Sequence, residues 1–544
     1  MVKNIAEAFN DIAAVHANRM AIAEAKTGNH VSFSELSSLT DGYAHLLHKH
    51  GVKHGDRVML MVTPSVDFIS LTFALFKIGV TIILIDPGMG YKNLLKCIEG
   101  VRPSVFIGIP KACLFSKIFR TPFKTVKKHF CCGQSFGLFG SDIKKQARVM
   151  SGYGTFPVYS PSDDDLAAII FTTGSTGPPK GVRYEHSIFA AQLDRIRDYY
   201  GIDSNHTDQP AFPLFALFAA ALGASSVIPD MDPTRPAKVD PEKFVSSIKK
   251  YGVTYSFGSP AIWNVVSRYC IQNSIKLETI QKILMAGAPV PGELLERVSA
   301  IIPESAQIFT PYGATESLPI VSIEGREVLG ETWEKSRIGK GTCVGRPLPG
   351  IELAVMTICD KPVRQFDSDL LLPPEEIGEI IVKGDVVTKA YENNDSENEK
   401  AKIIDRDTFW HRMGDTGYLD KSGRLWFCGR KAHRVITENG TLYTIQCESI
   451  VNEHTDVYRS ALVGVTVSGS DFKKPVLIVE PVKEYAGAVD TLIAEVSRLA
   501  GASEVTQEIT TFLVHNDFPV DIRHNAKIFR EKLAVWAEEE LQVS

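Results

Sequence analysis

The sequence predicts an α/β protein. A large N-terminal domain over residues 1–430 is built of parallel-rich sheets with crossover helices, and a small α+β domain covers residues 431–544. Three observations point there. Short β-rich runs alternate with helical patterns: VMLMV at 58–62, TIILI at 81–85, VFIGI at 105–109, AAIIF at 167–171, VTYSF at 253–257 and KILMAG at 282–287. Strands spaced by helices pair in parallel, because a parallel connection needs a long crossover. At 544 residues the chain is too long for one ordinary core. After about residue 430 the texture shortens, with strands expected at ALVGVTV (461–467) and PVLIVE (475–480), a helix at 488–500 and a last helix over IFREKLAVWAEEEL.

Taken in order, MVKNIAEAFNDIAAVHANRMAI has the apolar spacing of an amphipathic helix and lacks the long apolar segment of a secretion signal. The longest apolar run, FISLTFALFKIGVTIILI at 68–85, is broken by Lys77 and Gly79, so it reads as a helix followed by a strand and not as a membrane span. KTVKK at 124–128 reads as solvated surface, and the polar run ENNDSENEK at 392–400 as an exposed loop.

Composition excludes several classes. With 59 basic and 64 acidic side chains the net charge is −5, which leaves no general electrostatic footprint for nucleic acid. Nine cysteines show neither a disulfide framework nor paired CxxC spacing, and Cys131 and Cys132 are adjacent. A cytoplasmic protein without a transmembrane segment is expected.

Three glycine-containing loops follow predicted strands: FTTGSTG after AAIIF, AGAPV after KILM, and TPYGATE after AQIF. Ligands of open α/β sheets collect at the carboxyl ends of strands, so the loops are expected to converge on one edge. The first continues as FTTGSTGPPKGV, residues 171–182, with three glycines, four hydroxyl side chains and Lys180. Backbone N–H groups freed by glycine, hydroxyl donors and a lysine charge suit phosphate. The stretch is not a Walker A loop, which requires G-x-x-x-x-G-K-[ST]. Read alone, a loop of Gly, Ser, Thr and Pro is also an ordinary surface turn.

TTGSTGPPKG, AGAP, YGATE, GEIIVKG, MGDTGYLD with the following GR, and a late lysine in RHNAKIFR occur in this order. Together they resemble the adenylate-forming superfamily of acyl-CoA synthetases, luciferases and adenylation domains, over nearly the whole chain. The resemblance implies ATP and Mg²⁺. It implies that Thr172, Thr173, Gly174, Ser175, Thr176, Gly177 and Lys180 cradle the β- and γ-phosphates, and that Gly287, Ala288 and Pro289 wall the adenine slot. Tyr312 and Gly313 then lie along the adenine, Thr315 donates to the α-phosphate, Glu316 holds the metal, and Asp415 with nearby Arg430 takes the ribose. Lys527 is the catalytic lysine on a mobile C-terminal domain, and closure would complete the site and exclude water. Lys180, Thr315, Glu316 and Lys527 form the expected catalytic set.

The chain departs from the common pattern of that family. Ala216 stands in PLFALF where many ligases carry a histidine, Ala432 followed by His433 replaces the usual hinge Asp or Lys, and Ala526 precedes Lys527 where Gly is usual. These departures put thioester formation in question. The strings VIPDMDPTRPA (227–237), WHRMGDTGYLD (410–420), FCGRKAHRV (427–435) and FPVDIRHNAKIFREKLAVW (518–536) resemble the β-lactone synthetases of bacterial long-chain olefin biosynthesis. The implied substrate is a 2-alkyl-3-hydroxy fatty acid whose own hydroxyl displaces AMP. The implied partners are a condensing enzyme, a reductase and a β-lactone decarboxylase. AFPLFALFAAALGASSVIP at 211–229 has the composition either to line an acyl cavity or to form plain core. His186 and His433 lie near motifs, and neither is assigned as the base. An acyl-CoA ligase and a non-catalytic nucleotide-binding module stand as the alternative readings.

Overall fold

The structure, a computed structural model, describes residues 3–135, 137–139, 142–171, 178–520 and 528–543. Each of the six β-rich runs forms a strand. Four of them join Lys128–Cys131 and Gly181–Glu185 in a six-stranded sheet, in the order Lys128–Cys131, Val105–Gly108, Arg57–Met61, Thr81–Leu84, Leu166–Phe171, Gly181–Glu185. Every neighbouring pair is parallel except the last. A seven-stranded sheet runs Gln307–Phe309, Lys282–Met285, Tyr255–Gly258, Thr207–Asp208, Ser225–Ile228, Met20–Glu24, His30–Ser32, with only the final pair antiparallel. Helices cover both faces, which is why these strands are continuous apolar runs and not alternating ones.

The run at 68–85 resolves into the helix Val66–Ile78 and the strand Thr81–Leu84. Gly79 ends the helix at φ 77°, a left-handed cap that favours glycine. Lys77 does not interrupt it. Its ammonium is buried 2.6 Å from Asp41, and all thirteen residues of the helix are buried. The segment 211–229 supplies core: Ala216 to Ala221 are buried in the helix Phe215–Ala221, and Phe215 stacks on Phe257 at 3.6 Å.

A third, antiparallel sheet has no counterpart among the sequence expectations. Its order is Tyr312–Ala314, Ser317–Ser322, Thr342–Pro347, Leu425–Arg430, Thr408–Leu419, Gly378–Lys383, Glu352–Met356, with Lys402–Asp405 added along Thr408–Leu419. The 392–400 run also departs from expectation. Residues Asp395–Ala401 form a helix, started by Asn394, whose side chain accepts from the Glu397 amide, with acidic residues in the first turn. A cap and favourable dipole charges make a helix where no apolar period signals one.

Residues beyond 435 build a three-stranded sheet. Val457–Thr466 and Lys473–Pro481 pair antiparallel, and Thr511–Val514 joins the latter in parallel. Alternation along the strands divides the apolar residues. Leu462, Leu477 and Phe512 pack with Leu492 and Val496 of the helix Val489–Gly501, while Ala461, Val463 and Ile478 pack with Leu533 and Ala537 of the helix Arg530–Val543. Side chains tie this region to the rest: Arg337 to Glu453 and Gln446 to the Gly339 carbonyl at 2.9 Å. Among the described residues no helix is long and apolar enough to cross a membrane, and no cluster of three His, Cys, Asp or Glu offers a metal cage. All nine cysteines are unpaired.

Candidate active site

The glycine loops leave two sheets, not one edge. AGAPV and TPYGATE follow the neighbouring parallel strands Lys282–Met285 and Gln307–Phe309 and so emerge side by side, whereas Leu166–Phe171 belongs to the six-stranded sheet. Thr172, Thr173, Gly174, Ser175, Thr176, Gly177 and Lys527 lie outside the described residues. Of the described ones, Tyr312, Gly313, Thr315, Glu316, Asp415 and Arg430 lie on the antiparallel sheet, whereas Lys180 immediately precedes Gly181–Glu185 of the six-stranded sheet and Gly287, Ala288 and Pro289 follow Lys282–Met285 of the seven-stranded one.

Asp415 and Arg430 face each other directly in register across Thr408–Leu419 and Leu425–Arg430. The guanidinium lies 2.9 Å from Asp415 Oδ1, and the Tyr312 hydroxyl donates to Oδ2 at 2.6 Å. Tyr312 reaches it from the hairpin Tyr312–Ala314/Ser317–Ser322. Gly313 is required there, because a Cβ would sit 2.5 Å from the Ser317 carbonyl oxygen. Asp415 is buried, yet Oδ1 has no aligned hydrogen-bond donor; Arg430 approaches it off the bonding direction. Burial raises the Asp415 carboxyl above its ordinary range, against the pull of Arg430 and Tyr312. A buried acceptor short of a donor, beside a partly exposed guanidinium, fits ligand hydroxyls.

Thr315 and Glu316 form the turn of that hairpin. The Thr315 carbonyl accepts from the Tyr184 hydroxyl at 2.5 Å, and the Glu316 carbonyl accepts from the Thr388 amide at 2.9 Å and its hydroxyl at 3.1 Å. These bonds fix the turn and leave the Glu316 carboxylate to accept from the Tyr391 hydroxyl at 2.9 Å. Lys180 pairs with Glu397, and its ammonium sits 5.1 Å from the centre of the Tyr391 ring. A chain of contacts therefore runs Lys180, Tyr391, Glu316, and the carboxylates of Asp415 first and Glu316 after it favour the charged form of Arg430. Gly287, at φ 96°, turns the loop that carries Ala288 and Pro289.

Near Glu316, Lys402 is half-buried and donates to the Thr388 carbonyl. Burial pushes its ammonium down to about 7, while the Glu316 and Glu185 carboxylates favour the charged form. His411, buried nearby, is driven well below its ordinary value by burial and by the Lys402 charge, so it is a neutral core group. His186 is likewise core: it packs edge-on against Phe76 and burial lowers it to about 4. His433 pairs with Glu531 of the last helix at 3.0 Å, across the segment expected to be the hinge.

Sequence reasoning missed Tyr184, Thr388, Tyr391, Glu397 and Lys402. Tyr391 and Glu397 flank or occupy the run read as a loop, and no motif marked the other three.

The arrangement combines a carboxylate able to accept hydroxyls, a hairpin-borne carboxylate and a lysine in one connected network. The family model described as AMP-binding enzyme matches residues 9–392. The chain is 43% identical over 521 residues to the olefin beta-lactone synthetase of Xanthomonas campestris pv. campestris, covering 94% of this chain and 91% of that one. It is 41% identical over 522 residues to the olefin beta-lactone synthetase of Stenotrophomonas maltophilia, covering 94% and 92%. The fold matches the crystal structure of ATP-bound MatB from Rhodopseudomonas palustris with a TM-score of 0.78 at 20% identity, over 99% of this chain and 100% of that one. The fold, the site and these matches together establish that the chain belongs to the AMP-binding enzyme family, in the branch that holds the olefin beta-lactone synthetases.

Proposed function

We propose that this protein is an ATP-dependent, AMP-forming β-lactone synthetase acting on a long-chain 2-alkyl-3-hydroxy fatty acid in olefin hydrocarbon biosynthesis. The observation that carries this reading is the near full-length likeness, at 43% and 41% identity, to two proteins named for that activity.

The chemistry asks for three things, and the chain has residues for each. The nucleotide must be held: Asp415 accepts the ribose hydroxyls, Arg430 steadies Asp415, and Tyr312 lies along the adenine opposite Gly287, Ala288 and Pro289. Charge that builds on the α-phosphate and on departing pyrophosphate must be stabilised by donors and cations already in place. Thr315 donates to the α-phosphate, Lys180 and the hydroxyls of Thr172, Thr173, Ser175 and Thr176 serve the outer phosphates, and Lys527 completes the set from a mobile domain over 431–544. Glu316 is an oxygen ligand suited to Mg²⁺, which when bound neutralises phosphate charge. The substrate carboxylate attacks the α-phosphorus and pyrophosphate leaves. The 3-hydroxyl oxygen then bonds to the acyl carbon, its proton passes to solvent or a base, and AMP departs with the C–O electron pair. A tethered hydroxyl has the effective concentration this closure needs. Ala216 leaves the helix Phe215–Ala221 without an imidazole to orient a carboxylate as many ligases do, in keeping with a different second step.

A cytoplasmic location, and hand-over among a condensing enzyme, a reductase and a β-lactone decarboxylase, belong to the same proposal. Absence of association on co-purification at working concentrations would argue against the hand-over.

The test compares the 3-hydroxy acid with its 3-deoxy analogue, each with Mg·ATP, with and without CoA, and identifies products by NMR and mass spectrometry. A CoA-independent β-lactone from the hydroxy acid alone is expected. Thioester from both acids would make the protein an acyl-CoA ligase, and no pyrophosphate from either would make it a nucleotide-binding module. Lys527→Ala is expected to abolish pyrophosphate release with ATP binding retained; unchanged release would refute its role.

A further inference from the structure

One face of the six-stranded sheet is covered by the helices Tyr91–Val101 and Pro110–Ile118. Their inner sides, with Leu94, Cys97 and Ile98 of the first and Ala112 and Cys113 of the second, close an apolar core with Phe106 and Ile83. Their outer side breaks the usual division, in which the face turned to water is polar. Tyr91 is 73% exposed, Leu114 51%, Ile118 64% and Phe119 38%. These are not scattered singly. The Tyr91 and Phe115 rings stack with centroids 6.2 Å apart, the Phe115 and Phe119 rings lie 4.7 Å apart, and Leu114 and Ile118 stand one turn apart on the same helix. Contiguous exposed apolar surface marks an interaction site.

The charge around it is equally one-sided. From Tyr91 to Lys128 the chain carries nine Lys and Arg and a single acidic residue, Glu99, within a protein whose acidic residues outnumber its basic ones. Lys92, Lys96, Lys111, Lys117 and Arg120 are all exposed, and Glu99 is itself paired with Lys124 at 3.7 Å.

We infer that this face docks on an anionic phospholipid surface. Bulky apolar side chains interleaved with lysines suit the boundary between headgroups and acyl chains: the rings and the aliphatic pair enter it, and the flexible lysine stems keep their ammonium groups among phosphates. Leu114 and Ile118 would gain nothing from stacking on bases, which argues against nucleic acid. Such docking would also bring the enzyme to where a two-chain lipid acid resides, a benefit that rests on the function proposed above; the docking itself does not.

The test is co-sedimentation of the full chain with vesicles of phosphatidylcholine alone and of phosphatidylcholine mixed with phosphatidylglycerol, at low and high salt. Binding to the mixed vesicles alone, lost at high salt, is expected. Leu114→Ser with Ile118→Ser, and separately Lys111→Glu with Lys117→Glu, should each weaken it at least tenfold while melting temperature and pyrophosphate release from a soluble acid stay unchanged. Failure to bind the mixed vesicles, or binding indifferent to both double variants, overturns the inference. Since vesicle binding requires no turnover, failure of the proposed catalysis would leave this result standing on its own.

Discussion

The strand Thr408–Leu419 carries two acid–base pairs three residues apart, and they differ in kind. Arg412 bonds both oxygens of Glu379, at 2.6 and 3.1 Å, and its remaining donors reach the carbonyls of Lys361, Lys400 and Cys359, while Lys431 adds a third cation contact to Glu379 at 3.0 Å. Their side chains are 3% and 1% exposed. Asp415 is as deeply buried, but its partner Arg430 is 37% exposed and Oδ1 lacks an aligned donor. The first pair is saturated and sealed; the second is unsaturated and opens outward. Buried charge alone therefore does not mark a site. What marks one is buried charge with bonding capacity left over and a way in.

The largest expected effect breaks the sealed pair. Glu379→Ala strands Arg412 in the interior and is expected to cost about 3–5 kcal/mol of stability. Thermal unfolding would read this as a large drop in melting temperature, and an unchanged transition would contradict the assignment. Next, Asp415→Ala opens the unsaturated pair. Because Arg430 reaches solvent, the fold should tolerate the change, while kcat/KM for ATP falls about 10- to 100-fold, the worth of hydrogen bonds to a charged group. Loss of stability matching that of Glu379→Ala, with ATP use intact, would erase the distinction.

The smallest effect sharpens the rule with His186, whose Nε2 is also buried without a partner but which has no opening. Burial lowers the folded imidazole from 6.5 to about 4, against Asp165, which favours the cation, and together with His54, which disfavours it. Between those values the unfolded chain binds a proton that the folded chain refuses. Stability is therefore full above about 6.5 and lost as pH falls, levelling off near 4. His186→Gln is expected to reduce the stability lost between pH 7.5 and about pH 5 by about 2 kcal/mol, with turnover at neutral pH unchanged. An identical pH slope in the variant, or loss of turnover, would contradict the reading.

The parallel sheets were legible because fully buried strands advertise themselves as apolar runs between helices, and 282–287 and 167–171 needed nothing more. The antiparallel sheet was not, since its strands are half-polar, separated by long irregular stretches, and include short pieces such as Tyr312–Ala314. Asp415 and Arg430 could each be picked from a motif, but their direct facing is a property of strand register, which fourteen intervening positions do not reveal. Glu397 illustrates the opposite failure. A run of Asn, Asp, Glu and Lys has no apolar period, so only the Asn394 cap hints at a helix, and nothing local shows that it faces a lysine 217 positions earlier in the chain. Lys77 shows a third: a charge inside an apolar run signals an interruption unless its partner, Asp41, is known.

The Lys180–Glu397 contact has a consequence for how an anion arrives. A lysine already matched to a carboxylate does not gain a counter-charge when a polyphosphate takes its place; it trades one for another. On the proposed role of Lys180 at the outer phosphates, nucleotide entry at this corner would be an ion exchange, in which Glu397 keeps Lys400, already 2.9 Å away, as the phosphate takes over Lys180. The electrostatic cost and gain largely cancel, so ionic strength will govern ATP affinity less than the number of cations around the site suggests.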